Sequence, residues 1–199
     1  MAKRVLIEDI RRQELTLAGL EVLMEGGPDG ATMERIGARA GMSRGIVNYY
    51  FKSKDELIVE VVKRAFFDSG VRCAHLQETV ATARERLKVI VQVKLRDFMV
   101  TPEVARSWIA TFSRYASHPE FQLAQLGFDQ KTLADLKSEL SSLVRRESLD
   151  ITAKLVLSQI KGLWLERALV GYRQSCTDAI AEVEALIDLA IAADPYSPS

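Results

Sequence analysis

Apolar residues recur along this chain at the spacing of α-helices, and no alternating pattern long enough for a strand is present. Near the N-terminus, apolar side chains repeat at steps of three and four residues, which predicts a first helix with one inner face. This face consists of Leu15, Ala18, Gly19, Val22 and Leu23. The run from Gly26 to Gly30 includes Pro28 and should end this helix.

Two short helices are predicted next. Thr32 stands where the N-cap of the second helix belongs, and Gly41 and Met42 form a turn behind that helix. Ser43 then caps a third helix that reaches about Tyr50. The pattern therefore predicts two short helices around a tight turn.

A fourth, longer helix opens at Ser53, with Asp55 and Glu56 in its first turn, where acids suit the helix dipole. It should reach the low seventies, where Ser69-Gly70 marks a kink or a stop. Prolines mark later helix starts. The remaining predicted helices span Thr82 to Met99, Pro102 to Ser117, Glu120 to Arg146, Asp150 to Tyr172 and Thr177 to Ala192. The prediction is an all-α fold of about nine helices.

Composition excludes several classes of protein. The 199 residues are 48% hydrophobic and 27% charged, which is ordinary for a soluble globular protein. Cys73 and Cys176 lack the spacing of a zinc site, and His75 and His118 lack the spacing of a metal or catalytic pair. No signal peptide or membrane-spanning run is recognised. We expect a cytoplasmic protein with no cofactor, no metal and no enzymatic activity.

Charge points toward DNA only through its distribution. The chain has 27 basic and 27 acidic residues, so its net charge is zero. One stretch nevertheless holds five cations and no acid: Arg35, Arg39, Arg44, Lys52 and Lys54. Such a patch on a neutral protein fits a phosphate backbone, and a solvated helix face is the alternative.

The two short helices carry the pattern of a helix-turn-helix, in which small residues let the helices cross and the second helix protrudes. Met42 and Val47 should point inward. The outward positions of the third helix are Arg44, Gly45, Asn48 and Tyr49. Arginine pairs with guanine and asparagine with adenine in the major groove, while Tyr50 and Lys54 should lie beside phosphates.

These residues resemble the N-terminal signature of the TetR family of bacterial repressors. The resemblance rests on Thr32, Ile36, Ala40-Gly41-Met42-Ser43, Gly45, Tyr49-Tyr50-Phe51, Ser53-Lys54 and Leu57. It implies phosphate contacts at Thr32, Ser43 and Lys54, and base contacts at Arg44, Gly45 and Asn48. Core packing is the alternative for Tyr49, Tyr50 and Phe51.

Two positions depart from the usual pattern of that family. Gly37 stands where the family usually has alanine, which should loosen the second helix by up to about 1 kcal/mol. Asn48 replaces a common tyrosine, so it is the contact for which the resemblance predicts least.

A reader of two operator half-sites needs a second copy of itself, so the remaining helices should hold a dimer interface. The last two predicted helices carry wide apolar faces that suit a two-fold four-helix contact, and burial inside one chain is the alternative. The candidate interface residues are Leu155, Gln159, Leu163, Arg167, Val183 and Ile187.

A second resemblance concerns the middle and last helices, whose Trp108-Ile109-Ala110 and Gly162-Leu163-Trp164-Leu165 motifs are similar to the choline-responsive BetI-like branch of the family. It implies a quaternary amine held by ring faces, with Asp97 or Glu166 supplying charge. The candidate ring residues are Phe98, Trp108, Phe112 and Trp164. Aromatic core packing is the alternative for each.

The sequence thus predicts a ligand-responsive regulator with a helix-turn-helix domain at residues 1–57 and a ligand-binding and dimerisation bundle at residues 58–199. It should bind a palindromic double-stranded DNA operator as a homodimer and be released by a small organic effector. A regulator that senses an apolar or drug-like ligand, and a helical adaptor without specific DNA binding, are the alternatives.

Overall fold

The computed structural model describes the backbone of residues 2–170 and 175–196, and side chains within these ranges from residue 7 onward. In this part of the chain there are nine α-helices and no strand, so the all-α prediction is confirmed. The helices are α1 Ala2–Gly30, α2 Met33–Arg39, α3 Arg44–Tyr50, α4 Lys54–Gln77, α5 Ala83–Met99, α6 Pro102–Tyr115, α7 Pro119–Leu140, α8 Arg146–Val170 and α9 Cys176–Ala193. None of the helices in these ranges is both long and apolar enough to cross a membrane.

Several helix boundaries differ from the prediction. The first helix bends at Gly27, whose φ is 62°, and resumes for one turn through Gly30, because a proline is tolerated in the first turn of a helical segment. The predicted kink or stop at Ser69-Gly70 is wrong, since α4 continues to Gln77. Ser69 is 1% exposed, so packing holds this turn helical against the weak propensity of the glycine that follows. Helix α7 ends at Leu140, six residues before the predicted end.

The chain divides into two units. The first unit comprises Met1–Phe67 and Arg106–Ala124, and the second comprises Asp68–Ala105 and Gln125–Ser199. In the first unit, α1, α2 and α3 pack against one another. The fully buried side chains of that core include Leu15, Leu23, Ile36, Val47, Phe51 and Leu57.

In the second unit, α5 packs against both α8 and α9, which also pack against each other. Nine of the residues from Leu87 to Met99 in α5 are buried, so this helix is the centre of the unit. An ion pair between Arg84 and Asp188 at 2.7 Å fixes the start of α5 beside α9. The unit's core includes Leu87, Ile90, Leu95, Val156, Ile160, Val183 and Ile187.

Candidate DNA-binding and effector sites

Local hydrogen bonds build the turn between α2 and α3. The hydroxyl of Thr32 accepts the Arg35 backbone N–H at 3.2 Å, and the hydroxyl of Ser43 accepts the Ile46 backbone N–H at 3.3 Å. Gly41 has a φ of 66°, which L side chains rarely adopt. The predicted caps and the predicted turn glycine are therefore confirmed. The two caps fix where each helix begins.

The inner side of α3 closes the small core of this unit. Met42 is 7% exposed and Val47 is fully buried, as predicted. Phe51, which directly follows α3, is also fully buried, so core packing is its role. The third helix is thus anchored through one side only.

The opposite side of α3 is exposed to solvent. Arg44, Gly45 and Asn48 are all exposed, and Tyr49 is 65% exposed. Tyr50 is half-buried and meets Tyr49 edge to face, with 5.0 Å between ring centroids. The structure thereby brings the four candidate reading residues onto one exposed helix and leaves Tyr50 at its margin.

Two residues that sequence reasoning missed lie beside this exposed side. Ile46 is 44% exposed and offers an apolar contact of the kind that thymine methyl groups accept. Glu34, in the first turn of α2, accepts a hydrogen bond from Arg44 at 3.2 Å. The exposure of Ile46 could have been predicted from its place between Gly45 and Val47. The Glu34–Arg44 contact could not, because it depends on how the turn brings α2 beside α3.

The acid-free basic stretch is partly neutralised by acids of α1. Arg39 donates to Glu21 at 2.9 Å and to Glu25 at 2.8 Å, and Arg35 lies 3.8 Å from Glu25. These acids are distant in sequence, so the charge pattern did not reveal them. The positive patch is smaller than the linear sequence indicates.

Lys54, a candidate phosphate contact, begins α4 and is half-buried. Its ammonium donates to the backbone carbonyl of Pro28. Burial lowers the pKa of Lys54, and the nearby Arg114 guanidinium lowers it further. Lys54 therefore ties the start of α4 to the end of α1.

Arg12 joins three helices of the same unit. Its guanidinium donates to the Tyr50 carbonyl at the end of α3 and lies 4.3 Å from the centroid of the Phe51 ring. It also lies 3.7 Å from the Glu56 carboxylate in α4. Arg12 thus holds α1, α3 and α4 together.

Helix α6 belongs to the first unit from Arg106 onward and contacts α1 and α4 of that unit. The Ser107 hydroxyl donates to the Met24 carbonyl at 3.2 Å, and the Tyr115 hydroxyl donates to Asp55 at 2.9 Å. Burial and the bond to Asp55 raise the pKa of Tyr115. A movement of α6 would therefore displace the end of α1 and the start of α4.

The four candidate effector rings divide between the two units. In the second unit, Phe98 and Trp164 lie 4.9 Å apart and are joined by Phe128, 5.4 Å from Phe98. In the first unit, Trp108 and Phe112 lie 5.7 Å apart. Of the four rings predicted for the effector site, Phe98 and Trp164 thus form a close pair in the second unit. Trp108 and Phe112 form a close pair in the first unit.

The charged residues proposed for the same site differ in burial. Asp97 has a side chain that is 11% exposed, and its Oδ1 accepts from Arg72 at 2.7 Å. Glu166 is exposed on α8. Of the two candidates, Asp97 alone lies against the interior of the second unit.

Sequence reasoning missed Lys94, which is 2% exposed. Its ammonium lies 4.2 Å from the centroid of the Phe128 ring and 3.4 Å from the Ser69 hydroxyl. Trp164 donates its indole N–H to the Lys94 carbonyl at 3.1 Å. The available signal was its register, since Lys94 stands on the same helical stripe as the apolar Leu87.

The candidate dimer residues divide by exposure. Leu163, Arg167, Val183 and Ile187 are at most 4% exposed within the single chain. They contribute to the core of the second unit and have little surface to offer a partner. Of the six candidates, Leu155 is 51% exposed and Gln159 is half-buried.

A different stripe of α8 is exposed along the length of the helix. Its members follow one another at steps of four, three, four, three and four residues, which is the spacing of a helix-pairing seam. Helix α9 exposes Leu189 and three alanines beside it in its helical register. The stripe of α8 consists of Ile151, Leu155, Ser158, Gly162, Leu165 and Leu169. We call it the α8 stripe.

Two family models match the chain. The model described as "Bacterial regulatory proteins, tetR family" matches residues 15–61, from α1 into α4. The model described as "BetI-type transcriptional repressor, C-terminal" matches residues 83–192, from α5 into α9. Together the matches span both the helix-turn-helix and most of the C-terminal helices.

Curated relatives match over nearly the whole chain. The transcriptional regulator BetI of Pectobacterium atrosepticum is 30% identical over 187 residues, covering 93% of this chain and 96% of that protein. BetI of Burkholderia lata is 29% identical over 192 residues, covering 96% of this chain and 99% of that protein. Both are described as helix-turn-helix transcriptional regulators.

Solved structures share the fold. A transcriptional regulator from Rhodococcus sp. Rha1 gives a TM-score of 0.78 at 18% identity, covering 94% of this chain and 99% of that chain. The regulator FadR of Bacillus subtilis, solved in complex with stearoyl-CoA, gives a TM-score of 0.70 at 16% identity, covering 90% and 97%.

The matched models and relatives are transcriptional regulators rather than enzymes. The first model matches the capped helix-turn-helix, and the second matches the bundle around α5. This chain belongs to the TetR family of bacterial transcriptional regulators, and its C-terminal domain is of the BetI type.

Proposed function

We propose that this regulator binds a palindromic operator as a homodimer and releases it when a small organic effector binds. Residues 1–57 act as the DNA-binding domain, and residues 58–199 bind the effector and form the dimer. The observation that carries the proposal is the exposure of Arg44, Asn48 and Tyr49 on a capped helix whose other side is buried. Operator binding would take place in the cytoplasm.

In the DNA complex, α3 enters the major groove with its N-terminal residues on the base edges. Arg44 reads guanine, Asn48 reads adenine, and Gly45 lets the backbone approach the bases. Tyr49 adds a base or sugar contact. The hydroxyls of Thr32 and Ser43, Tyr50 and Lys54 contact phosphates, which fix the register of the protein on the duplex without reading its sequence.

Arg44 must leave Glu34 to make its base contact. Both side chains are about two-thirds exposed, at 64% and 69%, and an exposed ion pair is worth about 1 kcal/mol or less. A bidentate arginine–guanine contact contributes about 1–3 kcal/mol of discrimination. The exchange therefore favours the operator, and the carboxylate opposes binding where no guanine is offered.

The dimer is formed by the α8 stripe and by the exposed side of α9. A two-fold axis places the stripe of one protomer against the stripe of its partner, so each residue meets its own copy or a near neighbour. Ser158 and Gly162 stand in the middle of the stripe, where small residues let two helices come close. A Cβ added at Gly162 meets nothing within 4 Å in the described part of the chain outside its own helix backbone.

Effector binding alters the spacing of the two reading helices through α6. Helix α6 contacts the end of α1 through Ser107 and the start of α4 through Tyr115. A ligand that favours a different position of α6 would shift the population toward a dimer that no longer fits two half-sites. Choline is the effector that the resemblance to BetI implies, and it belongs among the first compounds assayed for operator release.

The proposal is tested by titrating the protein into its gene's own upstream DNA and into a scrambled duplex, at increasing salt. Specific binding should be tighter to the upstream DNA at every salt concentration, while both affinities fall as salt rises. Equal affinity for the two duplexes would exclude a sequence-specific regulator of its own promoter.

The Arg44→Ala variant should lose about 1–3 kcal/mol of operator binding, a loss of roughly 5- to 150-fold, and should lose its preference at one base pair. Fluorescence anisotropy on the operator and on its single-base variants measures both effects. Arg39→Ala is the matched control, because it removes the same charge from an arginine already bound to Glu21 and Glu25. If Arg39→Ala weakens operator binding as much as Arg44→Ala, the base-reading role of Arg44 is wrong.

A further inference from the structure

A buried charge lies in the second unit without an adequate partner. Lys94 is 2% exposed, and its one hydrogen bond among the described residues runs to the Ser69 hydroxyl at 3.4 Å. A lysine ammonium has three donors, and burying it without hydrogen bonds or a counter-ion is costly. The Phe128 ring face at 4.2 Å compensates only in part.

The neighbouring charges are already paired elsewhere. Asp97 accepts from Arg72 at 2.7 Å, and Asp135 pairs with Lys131. Neither acid forms an ion pair with Lys94 among the described residues. The positive charge of Lys94 is therefore not neutralised by a neighbouring carboxylate. Burial lowers the pKa of Lys94, which reflects the same lack of compensation.

A second polar atom on the same helix is also without a partner. Asp97 Oδ2 is buried and accepts no hydrogen bond from the part of the chain that the structure describes. Asp97 follows Lys94 by three residues in α5, so both side chains leave the helix on the same side. An unmet donor and an unmet acceptor thus lie on the same side of α5, one helical turn apart.

The surroundings of this pair are aromatic. Phe128 faces the Lys94 ammonium, Phe98 lies 5.4 Å from Phe128, and Trp164 lies 4.9 Å from Phe98. A quaternary amine would need such a ring face, and here the Lys94 ammonium already occupies that of Phe128. The cluster therefore complements an anion with an apolar side chain better than a cation.

We propose that Lys94 and Asp97 form the head-group site for an acidic effector, a small carboxylate that carries a neighbouring hydroxyl or amino group and an aromatic or apolar side chain. The carboxylate accepts hydrogen bonds from the Lys94 ammonium and supplies the missing counter-charge. The hydroxyl or amino group donates to Asp97 Oδ2. The rings of Phe98, Phe128 and Trp164 line the apolar part. This inference rests on the proposed function only in naming the bound acid as the effector.

Four compounds of one carbon skeleton test the site: 3-phenyllactate, phenylalanine, 3-phenylpropanoate and 3-phenylpropanamide. Thermal melting of the full-length protein without DNA measures their binding. We expect the two donor-bearing acids to bind most tightly, 3-phenylpropanoate more weakly, and the uncharged amide about 10- to 100-fold more weakly than the best acid. The site is excluded if no acid raises the Tm more than the amide, or if choline raises it and the acids do not.

Lys94→Met tests the residue itself. It replaces the buried ammonium by an apolar chain of similar length, so the Tm without ligand should stay equal or rise, while affinity for the acids falls about 10- to 100-fold. Lys88→Met is the control on the same helix, since Lys88 is exposed and pairs with Glu184. Unchanged acid binding by Lys94→Met overturns the proposal. If the wild type binds 3-phenyllactate and 3-phenylpropanoate with equal affinity, the proposed role of Asp97 is wrong.

The compound series on the wild type decides the matter even if Lys94→Met does not fold. Operator release by the same acids is then measured separately by anisotropy. Acid binding without operator binding by the wild type would contradict the proposed function and leave the site intact. Operator binding that no acid alters, with no acid bound, would contradict the site alone.

Discussion

The Gly37→Ala variant is expected to lose about 1–3 kcal/mol of its free energy of unfolding, although alanine is the better helix former. A Cβ at position 37 would lie 2.7 Å from the Met42 carbonyl oxygen and 2.9 Å from Val47 Cγ2. One of these atoms belongs to the backbone of the turn, which also donates the Met42 N–H to the Gly37 carbonyl at 2.8 Å. To make room, the crossing of α2 and α3 would have to open.

Helix propensity alone predicts the opposite sign. Replacing an exposed helical glycine by alanine gains about 1 kcal/mol, which is the basis on which Gly37 was expected to loosen α2. Because Gly37 is buried at the crossing, the steric cost exceeds this gain. Chemical denaturation monitored by circular dichroism measures the difference, and anisotropy should show operator binding weakened with it.

Gly45→Ala is the matched control. A Cβ at Gly45 meets only the Ser43 hydroxyl, at an ordinary distance of 3.8 Å. This variant should be as stable as the wild type or slightly more stable, while its operator binding changes because a methyl group enters the reading surface. A Gly37→Ala variant as stable as Gly45→Ala would show that the crossing of α2 and α3 can relax to make room for the methyl group.

Leu155→Glu should convert the proposed dimer to a monomer and weaken operator binding by about 10²- to 10⁴-fold, since the two half-sites would no longer be bound by one linked pair. Leu155 is 51% exposed and stands on the α8 stripe. Two-fold symmetry doubles the effect, because each interface would receive two carboxylates. Sedimentation analysis measures the mass, and anisotropy measures binding to a full operator and to a half-site.

The control is Leu126→Glu, which changes the same residue type at nearly the same exposure, 52%, on α7. It should remain dimeric with unchanged operator affinity. Because both leucines are largely exposed, neither variant should lose helix content. A Leu155→Glu protein that sediments as a dimer would place the interface elsewhere on the chain.

The helix-turn-helix could be predicted from the sequence because the residues that determine it act locally. Thr32 and Ser43 cap the helix that follows each of them, and Gly41 supplies the positive φ of the turn between those helices. Each of these effects acts within about four residues. Positions 44 to 49 then follow from the helical period.

The C-terminal helices were harder to interpret because α8 is apolar on more than one side. Leu163 and Val183 are apolar and stand in helical register, yet both are buried within the chain. Apart from Leu155, the α8 stripe was not predicted, because Ser158 and Gly162 interrupt it with residues that are not apolar anchors. Hydropathy does not distinguish a side that faces the chain's own core from a side that faces a partner.

Lys94 could not be recognised as buried from its residue type, since lysine is seldom fully buried. Its register with Leu87 was the only available signal, and one charged residue on an apolar stripe is usually at the stripe's edge. The Glu34–Arg44 contact was equally hidden, because it joins helices across a turn.

The Glu34–Arg44 contact also affects how the protein searches a chromosome. A regulator spends most of its time on DNA that is not its operator, held there by phosphate attraction alone. With Arg44 paired to Glu34, and Arg39 to Glu21 and Glu25, that attraction is weaker than the number of cations suggests. If Arg44 reads guanine as proposed, contacts with random sequence should be brief, and residence should lengthen where a guanine displaces the Glu34 carboxylate.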